Sequence, residues 1–346
     1  MKHRLISLGS LVPFLAAATL VSGVCAVQRD RSVLPTVEGT FSSTVAYDNY
    51  QLVEGLGTGW GYACVIATPD KKILFDTGAD SPTLISNMEG LDIEPDSMEI
   101  VVLSHAHLDH VGGLDGFLQR KGHVTVYIPS SFPNSVRDVI TARGEEYEDV
   151  TDATEISAGF HTTGEMGGAI IEQSVVLDTP VGSVVITGCA HPGIVSIVAR
   201  AKEMLPGKEV HFVMGGFHLL SASDSQLTSI IGAFRDLGVQ KVAPSHCSGD
   251  RCQQLFKEEY GIHYIESGVG HTTIYSRTRP TLTRVGSTLS LSWEPFDTGA
   301  YAVQFRDDLL SGKWRNAPGT WPITDTIWTE PDISQVDKRY YRIVSR

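Results

Sequence analysis

The chain has 346 residues, is 42% hydrophobic and carries a net charge of −13, enough length for two globular domains with a real core. No Lys/Arg cluster runs along any segment, so the basic footprint of a nucleic-acid-binding protein is missing. The acidic balance still admits an anionic small-molecule substrate, because bound metal ions supply their own local positive charge.

Met1 to Arg4 form a basic head, Leu5 to Val21 an apolar stretch, and Val24-Cys25-Ala26 a run of small residues. This pattern predicts a signal peptide over residues 1–26, followed by a linker over 27–38. The apolar stretch is short for a spanning helix and is interrupted by Pro13. Val24 is bulkier than the residue that normally precedes a lipidated cysteine. The expectation is export, periplasmic or secreted, with no transmembrane span after processing. Export permits disulfides. The remaining cysteines, Cys64, Cys189, Cys247 and Cys252, admit three full pairings, among which sequence does not choose.

Thr40 to Asp48 reads as a first strand. Gly55 to Gly61 is rich in glycine but leads into a strand, Tyr62 to Ala67, so it reads as a loop at a pocket mouth, not as a nucleotide cradle. A turn at Pro69-Asp70-Lys71 precedes the strand Ile73 to Phe75 and then Asp76-Thr77-Gly78. With no second Asp-Thr-Gly, the carboxylate pair of an aspartic protease cannot form. Ser81-Pro82 opens a capped helix.

Met98 to Leu103 is an apolar, β-branched run that predicts a buried strand. It delivers Ser104-His105-Ala106-His107-Leu108-Asp109-His110-Val111-Gly112-Gly113. His105 and His107, two apart in extended backbone, leave on one side, and Asp109 and His110 follow as the chain turns. Imidazole and carboxylate are donors that zinc, iron and manganese accept. A helix is expected over Asp109 to Gln119, a strand over Val124 to Ile128 and a helix from Asn134 to Arg143. Glu145 to Gly168 reads as loops or an insertion over the site, with His161 inside it.

Val184 to Thr187 predicts a strand that ends at Gly188-Cys189-Ala190-His191, and Pro192-Gly193 starts an amphipathic helix, Ile194 to Met204. A helix N-terminus disfavours a positive imidazolium and so favours a neutral His191. The next strand, from Val210, ends at Gly215-Gly216-Phe217-His218, with His211 alternating toward the surface. A helix over Ser223 to Leu237 precedes the strand Gln240 to Ser245 and then His246. Short strands over Ile262–Glu266 and Thr272–Ser276 are expected to close the sheet.

His-x-His-x-Asp-His-x-Gly-Gly after a strand resembles the first metal motif of the metallo-β-lactamase-fold superfamily. Asp76-Thr77-Gly78 resembles the motif whose aspartate orients the metal loop. The strings Thr187 to Gly193, Gly215 to Leu219 and Pro244 to Gly249 are similar to those of its dihydropterin ribofuranosyl-aminobenzene-phosphate synthase-like subgroup. The resemblance implies an α+β fold, a four-layer αββα sandwich over residues 39–278 with metal between two sheets. It implies two divalent ions, zinc first, with iron or manganese as alternatives. One ion would take His105, His107 and His191, the other Asp109, His110 and His246. Many members carry a metal-bridging aspartate where this chain has Gly215-Gly216; His218 is either a ligand or substrate contact, or structural.

On this reading Asp109 and His218 are the catalytic candidates. The implied activity is an exported metal-dependent hydrolase that directs a metal-bound hydroxide at a phosphoester, lactone or related ester. The subgroup's name implies instead a transferase, and a metal-binding module without turnover is the third reading. After Arg279-Pro280, short alternating strands and four tryptophans (Trp293, Trp314, Trp321, Trp328) resemble a small fibronectin type III-like sandwich over 283–346. It reads as an interaction or spacer module whose partner the sequence does not name.

Overall fold

The computed structural model describes residues 40–276, 281–285, 288–293, 300–306, 314–330 and 340–345. The expected signal peptide and the whole expected linker lie outside the described residues. Strands β1 (Phe41–Tyr47), β2 (Ala63–Ala67) and β3 (Lys72–Phe75) form an antiparallel meander. Helix α1 (Ser81–Gly90) follows, capped by Asp80, which accepts from the Thr83 amide, with proline in its first turn. β4 (Ile100–Val102) pairs parallel to β3 and feeds α2 (Leu108–Val111) and α3 (Leu114–Arg120). β5 (Thr125–Pro129), α4 (Asn134–Ala142) and β6 (Glu146–Val150) extend the parallel run.

β7 (Thr154–Ser157) and β8 (Phe160–Thr162) open a second sheet, and a small hairpin, β9 (Met166–Gly167) with β10 (Ile171–Glu172), stands apart. β11 (Val175–Thr179) and β12 (Gly182–Thr187) follow, then α5 (Ile194–Met204) and β13 (Val210–Gly216). α6 (Asp224–Asp236) starts from a capping box between Ser223 and Gln226. β14 (Lys241–Ser245), α7 (Asp250–Tyr260) and β15 (Thr272–Tyr275) complete the unit.

The first sheet runs β15-β1-β2-β3-β4-β5-β6 and the second β14-β13-β12-β11-β8-β7. Side chains alternate across each strand, so β3 sends Ile73 and Phe75 between the sheets and Leu74 outward. β12 likewise sends Val184 and Ile186 inward and Val185 outward. The inner layer joins Phe75 and Val102 of one sheet to Leu177, Ile186 and Met214 of the other. Outside, Leu84, Phe117 and Ile140 of α1, α3 and α4 cover the first sheet, and Ile197, Phe234 and Phe256 of α5, α6 and α7 cover the second. The architecture is the expected αββα sandwich. Because β12, β13 and β14 are parallel, their carboxyl ends emerge on one edge.

The chain divides into two compact units, one over residues 35–276 and one that takes in 277–346. In the second, strands Thr281–Val285, Thr288–Ser292 and Ile327–Glu330 form one antiparallel sheet. Arg315–Asn316, Tyr301–Arg306 and Tyr340–Ser345 form another. Leu291, Trp293, Tyr301 and Trp328 are among its core residues.

Four local expectations are corrected. The segment expected as loops holds β6, β7 and β8; β6 reads as charged because it is an edge strand whose side chains mostly face water. The expected single helix from Asp109 breaks at Gly112-Gly113, where both glycines press on the Thr77–Asp80 backbone. Ile262–Glu266 is not a strand: a 3-10 turn over Gly261–His263 leaves only one bridge, Val242 to Tyr264. α7 was not anticipated. Among the described residues, Cys64, Cys189, Cys247 and Cys252 are all free and buried. Among the described residues, no helix is long and apolar enough to cross a membrane.

Candidate metal centre

The site gathers at strand ends. β4 ends at Val102, the chain bends at Ala106 and α2 begins at Leu108, so His105 and His107 lie in the link at the sheet edge while Asp109 and His110 come from the first turn of α2. His191 follows β12, His218 follows β13 and His246 follows β14.

The ring nitrogens of His105, His107 and His191 lie within 4.8 Å of one another, and His105 Nε2 and His107 Nδ1 approach to 3.1 Å. A second set within the same limit joins Asp109, His110 and His246 with Cys189. Asp109 Oδ2 stands 3.4 Å from His246 Nε2 and 3.6 Å from His110 Nε2. The six sequence-predicted ligands therefore assemble as two trios. His218, exposed and at φ +55°, falls in neither; it groups with Cys189 and Cys247, its ring centroid 4.4 Å from that of His191. His161, on β8, and His211, which bonds Gln240 Oε1, join none of these sets.

Each deep histidine is held by its other nitrogen. Asp76, buried and at φ +58°, accepts from His110 Nδ1 at 2.7 Å and from the Ser104 amide and hydroxyl, both at 2.7 Å. With its proton committed to Asp76, Ser104 Oγ is left to accept from His105 Nδ1 at 2.9 Å. Glu172 Oε2 takes His191 Nδ1 at 2.8 Å, and Asn49 Oδ1 takes His246 Nδ1 at 2.9 Å. These contacts fix the tautomers and leave the site-facing Nε2 lone pairs available.

Burial, with help from neighbouring imidazoles, lowers His105 to about 3 and His110 to about 4, so both are neutral near pH 7. Burial would raise Asp109 and Glu172, but hydrogen bonds and the nearby rings outweigh it. Asp109 ends well below the ordinary carboxylate range through His246 and His110, and Glu172 at about 2 through His191, His105 and Ala190. Cys189 and Cys247 share a sulfur hydrogen bond that raises the Cys189 thiol and lowers that of Cys247. A hydrogen bond with Cys247 raises His218.

Whether this constellation suits divalent metal is tested by one atom: His246 Nε2 is buried, faces the second trio and has no hydrogen-bond partner. A bare imidazole nitrogen among a carboxylate and a second imidazole is costly unless a cation satisfies it. The donor set is nitrogen, oxygen and sulfur, the set zinc takes. The residues fit the group.

Sequence reasoning missed Glu172, Asn49 and the place of Cys189. Glu172 gave no signal beyond an acid next to an apolar run, because what it orients lies 17 to 19 residues away. The glycine-rich loop does reach the mouth: Trp60 is 52% exposed and its ring lies 5.1 Å from His246.

The sequence profile of the metallo-beta-lactamase superfamily matches residues 57–246. The chain is 27% identical over 234 residues to the 7,8-dihydropterin-6-methyl-4-(beta-D-ribofuranosyl)-aminobenzene-5'-phosphate synthase of Methanocaldococcus jannaschii, covering 55% of this chain and 80% of that protein. Among solved structures it is similar to Tm1679, described as a metal-dependent hydrolase of the beta-lactamase superfamily (27% identity, TM-score 0.58, 67% of this chain and 98% of that one). YhfI from Bacillus subtilis shares the fold (13% identity, TM-score 0.54, 68% and 100%).

Proposed function

This chain belongs to the metallo-beta-lactamase superfamily, and from that premise we propose that it is an exported metal-dependent hydrolase acting on an ester-type substrate. The observation that carries the reading is the pair of converging donor trios with their nitrogens fixed from behind. The similarity to Tm1679 supports it. Divalent ions held there, zinc first, would supply the chemistry of lowering the pKa of water to near neutral and of polarising an ester oxygen.

The chain's own residues do the rest. His105, His107 and His191 would hold one ion and Asp109, His110 and His246 the other. Asp76, Ser104, Glu172 and Asn49 keep the rings of His110, His105, His191 and His246 from turning, so most of the site is organised before substrate arrives. Asp109, with its carboxylate held ionised, also orients the attacking oxygen. His218, exposed beside His191 with ring centroids 4.4 Å apart, is placed to hand a proton to the leaving oxygen. Exposed Trp60 beside His246, Leu108 at the start of α2 next to Asp109, and Leu220 two residues after His218 favour an ester with an apolar portion.

The basic head and apolar stretch at residues 1–26 support export, and the second unit, after Arg277, is read as an interaction or spacer module. The relative from Methanocaldococcus jannaschii favours a second reading, a dihydropterin ribofuranosyl-aminobenzene-phosphate synthase-like transferase. The test is a panel of chromogenic phosphodiesters, carboxylic esters and lactones with the zinc-loaded chain. Turnover that vanishes on chelation, returns with metal and is lost in Asp109→Ala is the expected result. No turnover on the panel, with formation of a dihydropterin ribofuranosyl-aminobenzene-phosphate product instead, would replace the hydrolase by the transferase.

A further inference from the structure

The end of β13 brings no donor to the second trio. It closes on Gly215-Gly216, and a Cβ on Gly216 would lie 2.3 Å from Gly188 O and 2.7 Å from Cys247 Sγ. The place beside His110 is taken by sulfur. Cys189 Sγ is 3.1 Å from His110 Nε2 and lies within 4.8 Å of the donor atoms of Asp109 and His246.

Cys189 is buried, two residues ahead of His191, at a turn that a buried carboxylate holds. Glu172 Oε1 accepts from the Cys189 and Ala190 amides at 2.9 and 2.8 Å, and Ala190 sits at φ +62°. The unpartnered His246 Nε2, on a ring 1% exposed, belongs to the same set. By contrast, the Cys247 thiol donates to the Cys189 carbonyl oxygen and stands outside the set.

We propose that Cys189 Sγ is a ligand of the second ion, completing a closed set of four with Asp109, His110 and His246. The two positions then differ in kind. Four protein donors are the mark of a closed site, whereas the three histidines of the first trio keep a place for water or substrate. Binding deprotonates Cys189 and releases the proton to solvent; a coordinating thiol ionises outright, which reverses the order the two sulfurs set between themselves. The inference rests on the metal-binding part of the proposed function and not on turnover.

The test loads the chelator-stripped full chain with Co(II) and reads bound cobalt together with the near-ultraviolet thiolate-to-cobalt charge-transfer band. About two equivalents and a clear band are expected in the wild type. Cys189→Ser should lose the band and bind the second equivalent at least ~10-fold more weakly, while keeping the first; Cys247→Ser should keep the band. A band that survives Cys189→Ser, or is lost only in Cys247→Ser, overturns the assignment, as does a wild type that binds two cobalt ions without a band. No bound cobalt at all would overturn the metal-binding reading with it. X-ray absorption on the zinc-loaded wild type needs no variant: a sulfur shell near ~2.3 Å, at about one sulfur per two zinc ions, is expected, and a nitrogen/oxygen-only shell refutes the proposal.

Discussion

Replacing Glu172 by glutamine changes one oxygen for an amide nitrogen in a buried carboxylate that accepts four hydrogen bonds. Its Oε1 takes the Cys189 and Ala190 amides, and its Oε2 takes the His191 amide and His191 Nδ1, at 2.8 to 2.9 Å. The substituted side chain can still serve one pair but must present an NH2 group to two donors on the other side. Two lost hydrogen bonds to a charged acceptor amount to ~3–6 kcal/mol. The titration leads to a similar size. Lowering of this carboxyl from 4.5 to about 2 corresponds to ~3 kcal/mol of native-state preference for the ionised form. That contribution is fully present above pH 4.5 and is lost as pH falls toward 2. Glu172→Gln should therefore lower stability at pH 7 by ~3 kcal/mol or more in urea unfolding with chelator present, and lack the wild type's added loss in acid. Because His191 loses its orienting partner, zinc affinity measured against a chromophoric chelator should fall ~10- to 100-fold. A variant within ~1 kcal/mol of wild type with unchanged zinc affinity would refute the role given to Glu172.

Gly112→Ala places a methyl 2.2 Å from Ala79 O and 2.6 Å from Leu108 O, so the α2–α3 break must shift; a loss of ~3 kcal/mol in urea unfolding is expected, and less than ~0.5 would show that the loop yields freely. His271 is buried away from the metal trios, bonds Thr273 Oγ1, and is lowered by burial to about 4. The unfolded chain binds that proton first, so the native state should lose ~3 kcal/mol as pH falls from 6.5 to 4, a loss that His271→Gln abolishes when the two are unfolded in parallel. Equal slopes for the two proteins would contradict this.

The metal motifs were legible because each is local: a strand, a turn and donors packed into a few residues. His105 to His110, His191 and His246 could be named for that reason, and the alternation of Val184 to Thr187 or Ile73 to Phe75 places the sheets. Contacts that cross the fold were not. Asn49 reaches His246 across 197 residues, and Glu172 orients His191 from a two-strand hairpin with no pattern of its own. α7 carries Cys252, Phe256 and Tyr260 at helical spacing, but its remaining residues are so polar that the apolar stripe is thin. The alternation of Ile262 to Glu266 suggested a strand where the chain only turns after Gly261, at φ +53°. Cys189 stood in plain view inside the His191 motif, but only the turn held by Glu172 brings its sulfur beside His110.

If the two trios hold two ions, bound metal per chain, measured by elemental analysis of the purified protein beside His246→Ala, reports it without any substrate. About two equivalents falling to about one is the predicted result. A single equivalent that His246→Ala leaves unchanged would contradict it, since Asp109, His110 and His246 would then not form a metal site.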